Sequence, residues 1–348
     1  MTCIQQYHLA DDPLVSLNLL RGAKLNKGET LQSHLTTLME SKRINQMKQS
    51  MELKQLEWWQ NQRNDMSGQP LLAFPSMGKY IIRSAEFKTW LLHRYLIPNG
   101  FGGFCCDCAA RPQLDPYGIH LSCGCNKEGL RTGIHDALVL ELQSLFRYAG
   151  FWTTHEERHM FDNNDKEKNN RPDLVVNNPE LLGFHGTGPN PKQPDKVIID
   201  LSFTCPLDGA SKADIKAAPN RTKALEIGSK ADARYNDKFK HYKTLIADLD
   251  PHLNPPVYWI VPFVFQSTGL LHKKGLELLE RIAGAAQDFK KIPGSNLLTY
   301  FKRRISCCLA KNLANSINQR GRTVASHSGS RLDRSFDSRH IMELHTEN

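Results

Sequence analysis

No run of about 18 apolar residues occurs in the 348-residue chain, which excludes a transmembrane helix. The opening MTCIQQYHLADDP has no basic stretch followed by an apolar one. It is therefore not expected to be a secretory signal, and the expected compartment is nuclear or cytoplasmic. No internal repeat is visible, so a solenoid is not indicated. Acidic residues are the scarcer charge, 36 against 45 basic, and the net charge of +9 favours polyanionic partners. Hydrophobic residues make up 40% and charged residues 23%, a balance that excludes wholesale disorder and allows a sizeable core. The length suggests roughly two domains, at about 150 residues each.

Nine cysteines are present, and without a secretory signal they are not expected to form a disulfide framework. Five fall together: Cys105, Cys106, Cys108, Cys123 and Cys125. The segment CCDCAARPQLDPYGIHLSC holds Cys105-x2-Cys108 and then His120-x2-Cys123. Two pairs of soft ligands on tight turns can close a tetrahedron around Zn²⁺, and four ligands with no vacant position make a structural site. The DPYG turn would fold the second pair back on the first. The register stays open, because Cys106 can replace Cys105 and Cys125 can replace Cys123.

The first 70 residues are polar with helical spacing, and SAEFKTWLLHRYL is a shorter amphipathic helix. GIHDALVLELQSLFRYAGF is a clear helix ending at Gly150. The period then changes. Strands are expected around GFWTTHEER, at RPDLVVN, at KVIIDLSFTCPL and at PPVYWIVPFVFQST, with a long helix before the last strand and two helices after it. That order is a mixed α/β sheet flanked by helices. The expected organisation is a helical segment over 1–84, a helix plus zinc knuckle over 85–132, the α/β domain over 133–318 and a disordered tail over 319–348.

Asp173 and Asp200 each sit within an apolar strand, where an ionised carboxylate is costly unless a metal or cation compensates it. On adjacent strands the two would grip Mg²⁺ (or Mn²⁺), a cation that takes one or two carboxylates, waters and phosphate oxygens. Metal-assisted phosphodiester hydrolysis uses such a metal to activate water and neutralise the developing charge. The helix after the third strand supplies cations: Lys230, Arg234 and Lys238 share a face, with Lys240 and Lys243 nearby. A second pattern, His155-Glu156-Glu157-Arg158-His159, matches a zinc-protease motif only if it lies on a helix. The preceding FWTT favours a strand, so this reading ranks last. Leu9–Asp12 is similar to a polymerase motif but lacks the aromatic residue before Ala10, so polymerisation is not expected.

Taken in order, the set is a Cys/His knuckle, Arg131-x3-His135, a helix, Arg171-Pro172-Asp173, IDLSFT and a basic helix with Lys238-x3-Tyr242. This set resembles the restriction-like endonuclease region at the C-terminus of non-LTR retrotransposon proteins, of the PD-(D/E)XK superfamily. The resemblance runs from about Ala85 to Ala286. It implies a PD-(D/E)XK fold with Asp173 and Asp200 as the paired acids and Mg²⁺ as cofactor. The superfamily's usual lysine, two residues after the second acid, falls at Ser202. The retrotransposon branch carries it on the next helix instead, which implies Lys238, with Lys240 and Tyr242 as secondary candidates and Glu141 as an extra metal ligand. Arg131, His135, Arg171, Arg234 and Lys243 are the implied DNA contacts. The activity implied is nicking of target DNA for target-primed reverse transcription. The implied partners are DNA, element RNA and a reverse transcriptase domain of a longer polyprotein. The alternative is a nucleic-acid-binding remnant that no longer cuts.

Overall fold

A computed structural model describes residues 31–73, 78–109, 111–125, 129–156, 160, 171–183, 194–207, 227–247 and 257–327. The chain divides into two units, Met1–Leu56 and Glu57–Asn348. In the first, α1 (Leu31–Ser50) is a helix whose described side chains are half-buried or exposed, as its polar sequence dictates. Helix α2 (Leu53–Asn61) begins there and ends in the second unit. The short α3 (Gln69–Leu72) and then α4 (Ser84–Arg94) follow, and Glu86 closes a capping box on the Arg83 N–H.

The second unit is built around a four-stranded sheet. Helix α5 (Leu130–Tyr148) buries Ile134, Leu138, Leu142 and Leu145, a stripe at steps of four and three. It stops at Gly150, whose φ of +89° turns the chain back so that Phe151 packs edge-to-face on Phe146. Strands β1 (Thr153–His155), β2 (Leu174–Val176) and β3 (Lys196–Thr204) pair antiparallel in sequence order. Helix α6 (Ser229–Ala247) crosses over, so β4 (Tyr258–Gln266) returns parallel to β3. Two helices close the fold, α7 (Lys273–Lys290) and α8 (Gly294–His327).

Alternation along β3 decides what each face does. Val197, Ile199, Leu201 and Phe203 enter the main core with α5, α7 and α8. Ile198 points the other way, against Tyr242 and Leu245 of α6 and Ile260 of β4. Asp200 and Ser202 share that second face by parity. With both faces covered, β3 is an almost continuous apolar run. Pro262 is tolerated within β4 because β4 ends the sheet, where a missing N–H breaks no ladder. Further along, β4 is covered by the segment at Leu271, with His272 N–H donating to Val264 O.

The segment after Gln319 departs from expectation. It is not a disordered tail from 319: α8 is helical to His327, with Arg320, Val324 and Ala325 buried. At about 1.5 Å per residue its 34 residues span roughly 50 Å, long enough to pack α4, α5, α7 and the cysteine-rich segment in turn. Residues 328–348 lie outside the described residues. Among the described residues no helix is long and apolar enough to cross a membrane.

Candidate active site and metal centre

Asp173 stands one residue beyond the Leu174↔Ile199 pair of the antiparallel β2/β3 ladder. That register places it opposite Asp200, and residues directly opposite share a face. Both backbone and side chains then fix the two carboxyls. Asp173 Oδ2 accepts from the Leu201 N–H at 2.6 Å and from His135 Nε2 at 3.1 Å. Asp200 is buried, and Lys238 Nζ lies 2.9 Å from its Oδ2 and 3.1 Å from its Oδ1. The Tyr242 hydroxyl donates to Asp200 Oδ1 at 2.8 Å. Lys238 and Tyr242 are four apart on α6, so one helix face delivers both.

The electrostatics follow from this crowding. Burial raises the Asp200 carboxyl above the ordinary aspartate range, the Asp173 charge raises it further, and Lys238 and Tyr242 pull it back. Burial and the neighbouring Asp200 charge push the Tyr242 hydroxyl up, so it stays a donor. Burial alone would lower His135, but the hydrogen bond and charge of Asp173, then those of Asp136, override it and push it up to about 9. His135 Nδ1 is 3.0 Å from Asp136 Oδ1, so each ring nitrogen faces a carboxylate and the ring is an imidazolium at neutral pH. Two carboxylates are therefore held together by a lysine, an imidazolium and a phenol.

The other candidates fall around this centre unevenly. Glu141 does not join it: Glu141 ion-pairs with the buried Arg304, which also donates to Ser144 Oγ. Lys240 is exposed, two residues from Lys238 and so on the opposite side of α6, and does not reach Asp200. Arg234 and Lys243 are exposed. Arg171 pairs with Glu156 at 3.1 Å. Arg131 donates to Phe203 O at 3.2 Å, an anchor at the end of β3. His135, expected against DNA, lies on α5 with its Nε2 on the first carboxylate, and only the Arg131-x3-His135 spacing had singled it out. His155 ends β1 and Glu156 follows at φ +46°, so the helix that the protease reading requires is absent at its first two residues. Glu157–His159 lie outside the described residues.

The cysteine-rich segment brings together Cys106, Cys108, His120 and Cys125, their donor atoms all within 4.8 Å of one another. Cys106 Sγ and Cys125 Sγ are 3.7 Å apart, and Cys108 Sγ and His120 Nε2 are 3.6 Å apart. A zinc tetrahedron with Zn–S bonds of about 2.3 Å and a Zn–N bond of about 2.0 Å has S···S and S···N edges of roughly 3.8 and 3.5 Å. The donor set fits a metal such as zinc in both softness and spacing.

This corrects the register from Cys105 and Cys123 to Cys106 and Cys125. Cys105 bridges to Gln113 in extended backbone and is exposed, and the next residue necessarily points to the opposite, buried side. His120–Gly124 forms a π-helical turn in which the Cys125 N–H bonds to His120 O at 2.8 Å. The i to i+5 closure aligns Cys125 with His120 and swings Cys123 into the main core beside Cys205. Asp115 organises the expected turn by accepting from the N–H groups of Tyr117, Ile119 and His120. No protein-family model matches this chain, and no curated protein matches its sequence.

Proposed function

We propose that the chain is a divalent-metal DNA endonuclease with a PD-(D/E)XK fold, similar to the nuclease region of non-LTR retrotransposon proteins. The reading is that it nicks target DNA so that the new 3′ end primes reverse transcription by a reverse transcriptase of a longer polyprotein, with element RNA as a further partner. One observation carries this: Asp173, Asp200 and Lys238 come from three separated segments and converge on one face of the sheet. Lys238 stands in for the lysine that Ser202 denies the strand.

The all-oxygen donor pair suits a hard cation such as Mg²⁺ or Mn²⁺, and a buried carboxyl raised by its neighbour's charge is one that a dication would relieve. When bound, the metal would neutralise phosphate charge and lower the pKa of an attacking water. The chain's own residues do the positioning. Leu201 N–H and His135 fix Asp173 through one oxygen. Tyr242 fixes Asp200, and the Lys238 ammonium holds positive charge beside it for the developing phosphorane. Exposed Arg234, one turn before Lys238 on the same face of α6, is the cation best placed to meet the DNA backbone beside the carboxylates, a sequence-independent contact.

A binding-only module is the second reading, favoured by one feature: Lys238 closes on both oxygens of Asp200. A supercoiled-plasmid nicking assay with Mg²⁺ or Mn²⁺ separates the two. The nuclease reading expects nicking that Asp200→Ala reduces at least a thousandfold while DNA affinity is kept. A wild-type chain that binds DNA with a steep salt dependence and never nicks refutes it in favour of the binding module.

A further inference from the structure

Arg320 carries a full guanidinium with no exposed surface, near the end of α8. A buried cation must be compensated or the fold loses more than the contact returns. Two groups face it. One is Asp107, its ion-pair partner, which stands between two of the converging cysteines. The other is Cys106 Sγ, 3.8 Å from Arg320 Nη2 and itself one of the four donors.

Metal binding changes the charge on this cluster. Three thiolates and a neutral imidazole around a zinc dication leave one net negative charge, in a site where three of the four ligand residues are buried. We propose that Arg320, held by Asp107, braces this metal centre as an N–H donor to the Cys106 ligand sulfur, so that the site is completed by α8 and the metal fastens the end of that helix to the cysteine-rich segment. Arg320 is a positioning residue here: its N–H donates to a ligand sulfur and steadies the thiolate, as groups around metal ligands do.

The surrounding packing agrees. Ile317 and Val324, one turn either side of Arg320, lie in one apolar cluster with Phe101, Leu114 and Leu121. Ser316 Oγ donates to Leu121 O at 3.1 Å. Gly321 permits the approach, since a Cβ there would sit 2.6 Å from the Phe101 ring. The centre is thus built between two distant stretches of chain and is not a free-standing finger. The inference rests on the metal assignment of the Cys/His cluster and is independent of the nuclease reading.

The test uses the full chain. Zinc affinity is measured by competition with a chromophoric chelator for wild type, Arg320→Met and Arg320→Lys. Arg320→Met should weaken zinc binding 10- to 100-fold, with Arg320→Lys in between. In the Co²⁺-substituted protein, Arg320→Met should move the thiolate-to-metal charge-transfer band to lower energy, a shift that lost packing alone would not produce. Hydrogen exchange of residues 317–327 in the unaltered chain, with zinc and after stripping, needs no variant and decides even if Arg320→Met fails to fold. Stripping should lower protection there at least tenfold. Unchanged affinity in Arg320→Met, or unchanged protection after stripping, overturns the proposal. A chain that takes up no zinc at all overturns the metal assignment beneath it.

Discussion

Removing one oxygen, by Tyr242→Phe, tests how the site holds its second carboxylate. The hydroxyl has a single hydrogen and two acceptors in reach, Asp200 Oδ1 at 2.8 Å and Arg171 O at 3.3 Å. The shorter, charged acceptor takes it. The side chain is otherwise packed with Ile198, Leu245 and Ile260, which phenylalanine preserves. A hydrogen bond to a charged group contributes about 1.5–3 kcal/mol, so the variant should lose that much stability in urea unfolding at pH 7 without metal. The pH dependence gives an independent check. The folded pKa of Asp200 lies above its ordinary 3.8, so the folded chain binds the extra proton more tightly. The Asp200 contribution to stability is therefore greatest below the unfolded value and falls as pH rises through the folded one, then levels off. Loss of the Tyr242 donor favours the protonated carboxyl further. The fall should then continue to higher pH and reach a lower plateau than in wild type. At low pH, with Asp200 protonated in both chains, the two curves should approach each other. A plateau gap under about 0.5 kcal/mol, well below the range for a hydrogen bond to a charge, would refute the reasoning.

The remaining predictions concern other parts of the fold. Metal analysis should find one zinc per chain in wild type and in Cys105→Ser, and little in Cys106→Ser or Cys125→Ser; retention in the last two would return the register to Cys105 and Cys123. His135 has a folded pKa of about 9 against an ordinary 6.5, so its stabilising contribution is complete below pH 6.5 and is lost as pH rises through 9. His135→Gln in metal-free protein should flatten the stability profile across that window by on the order of 2 kcal/mol, and an unchanged slope would argue against the imidazolium. Gly321→Ala should cost about 1–3 kcal/mol because its Cβ meets the Phe101 ring. Gly284→Ala, in the exposed middle of α7 with open space at the Cβ, should instead be neutral or stabilising by up to about 1 kcal/mol. If both changes have the same effect in thermal melts, the close approach of Phe101 is not what Gly321 serves.

Much of the architecture is legible from local pattern, because period and composition act over a few residues. The stripe of Ile134, Leu138, Leu142 and Leu145 specifies α5, and the β-branched run Val197–Ile199 specifies β3. Strand parity also separates Asp200 from Ile199 and Leu201 without any coordinates. The turn at Asp115 and a Cys/His metal cluster were likewise visible in residue type and spacing. What the sequence could not carry is whatever depends on distant chain. Which cysteine faces the cluster turns on a π-helical turn and a bridge to Gln113, and neither has a pattern of its own. Glu141 looked like any carboxylate on a helix leading to the site until Arg304, from α8, claimed it. The polar stretch after Gln319 resembled a tail because its apolar residues are sparse; it is helix because Ile317, Arg320 and Val324 find a seat that another segment builds. His135 joined Asp173 only when α5 packed on the sheet. Local sequence chose the elements, and long-range packing chose which charges and ligands face one another, because those energies exist only once the elements are in contact.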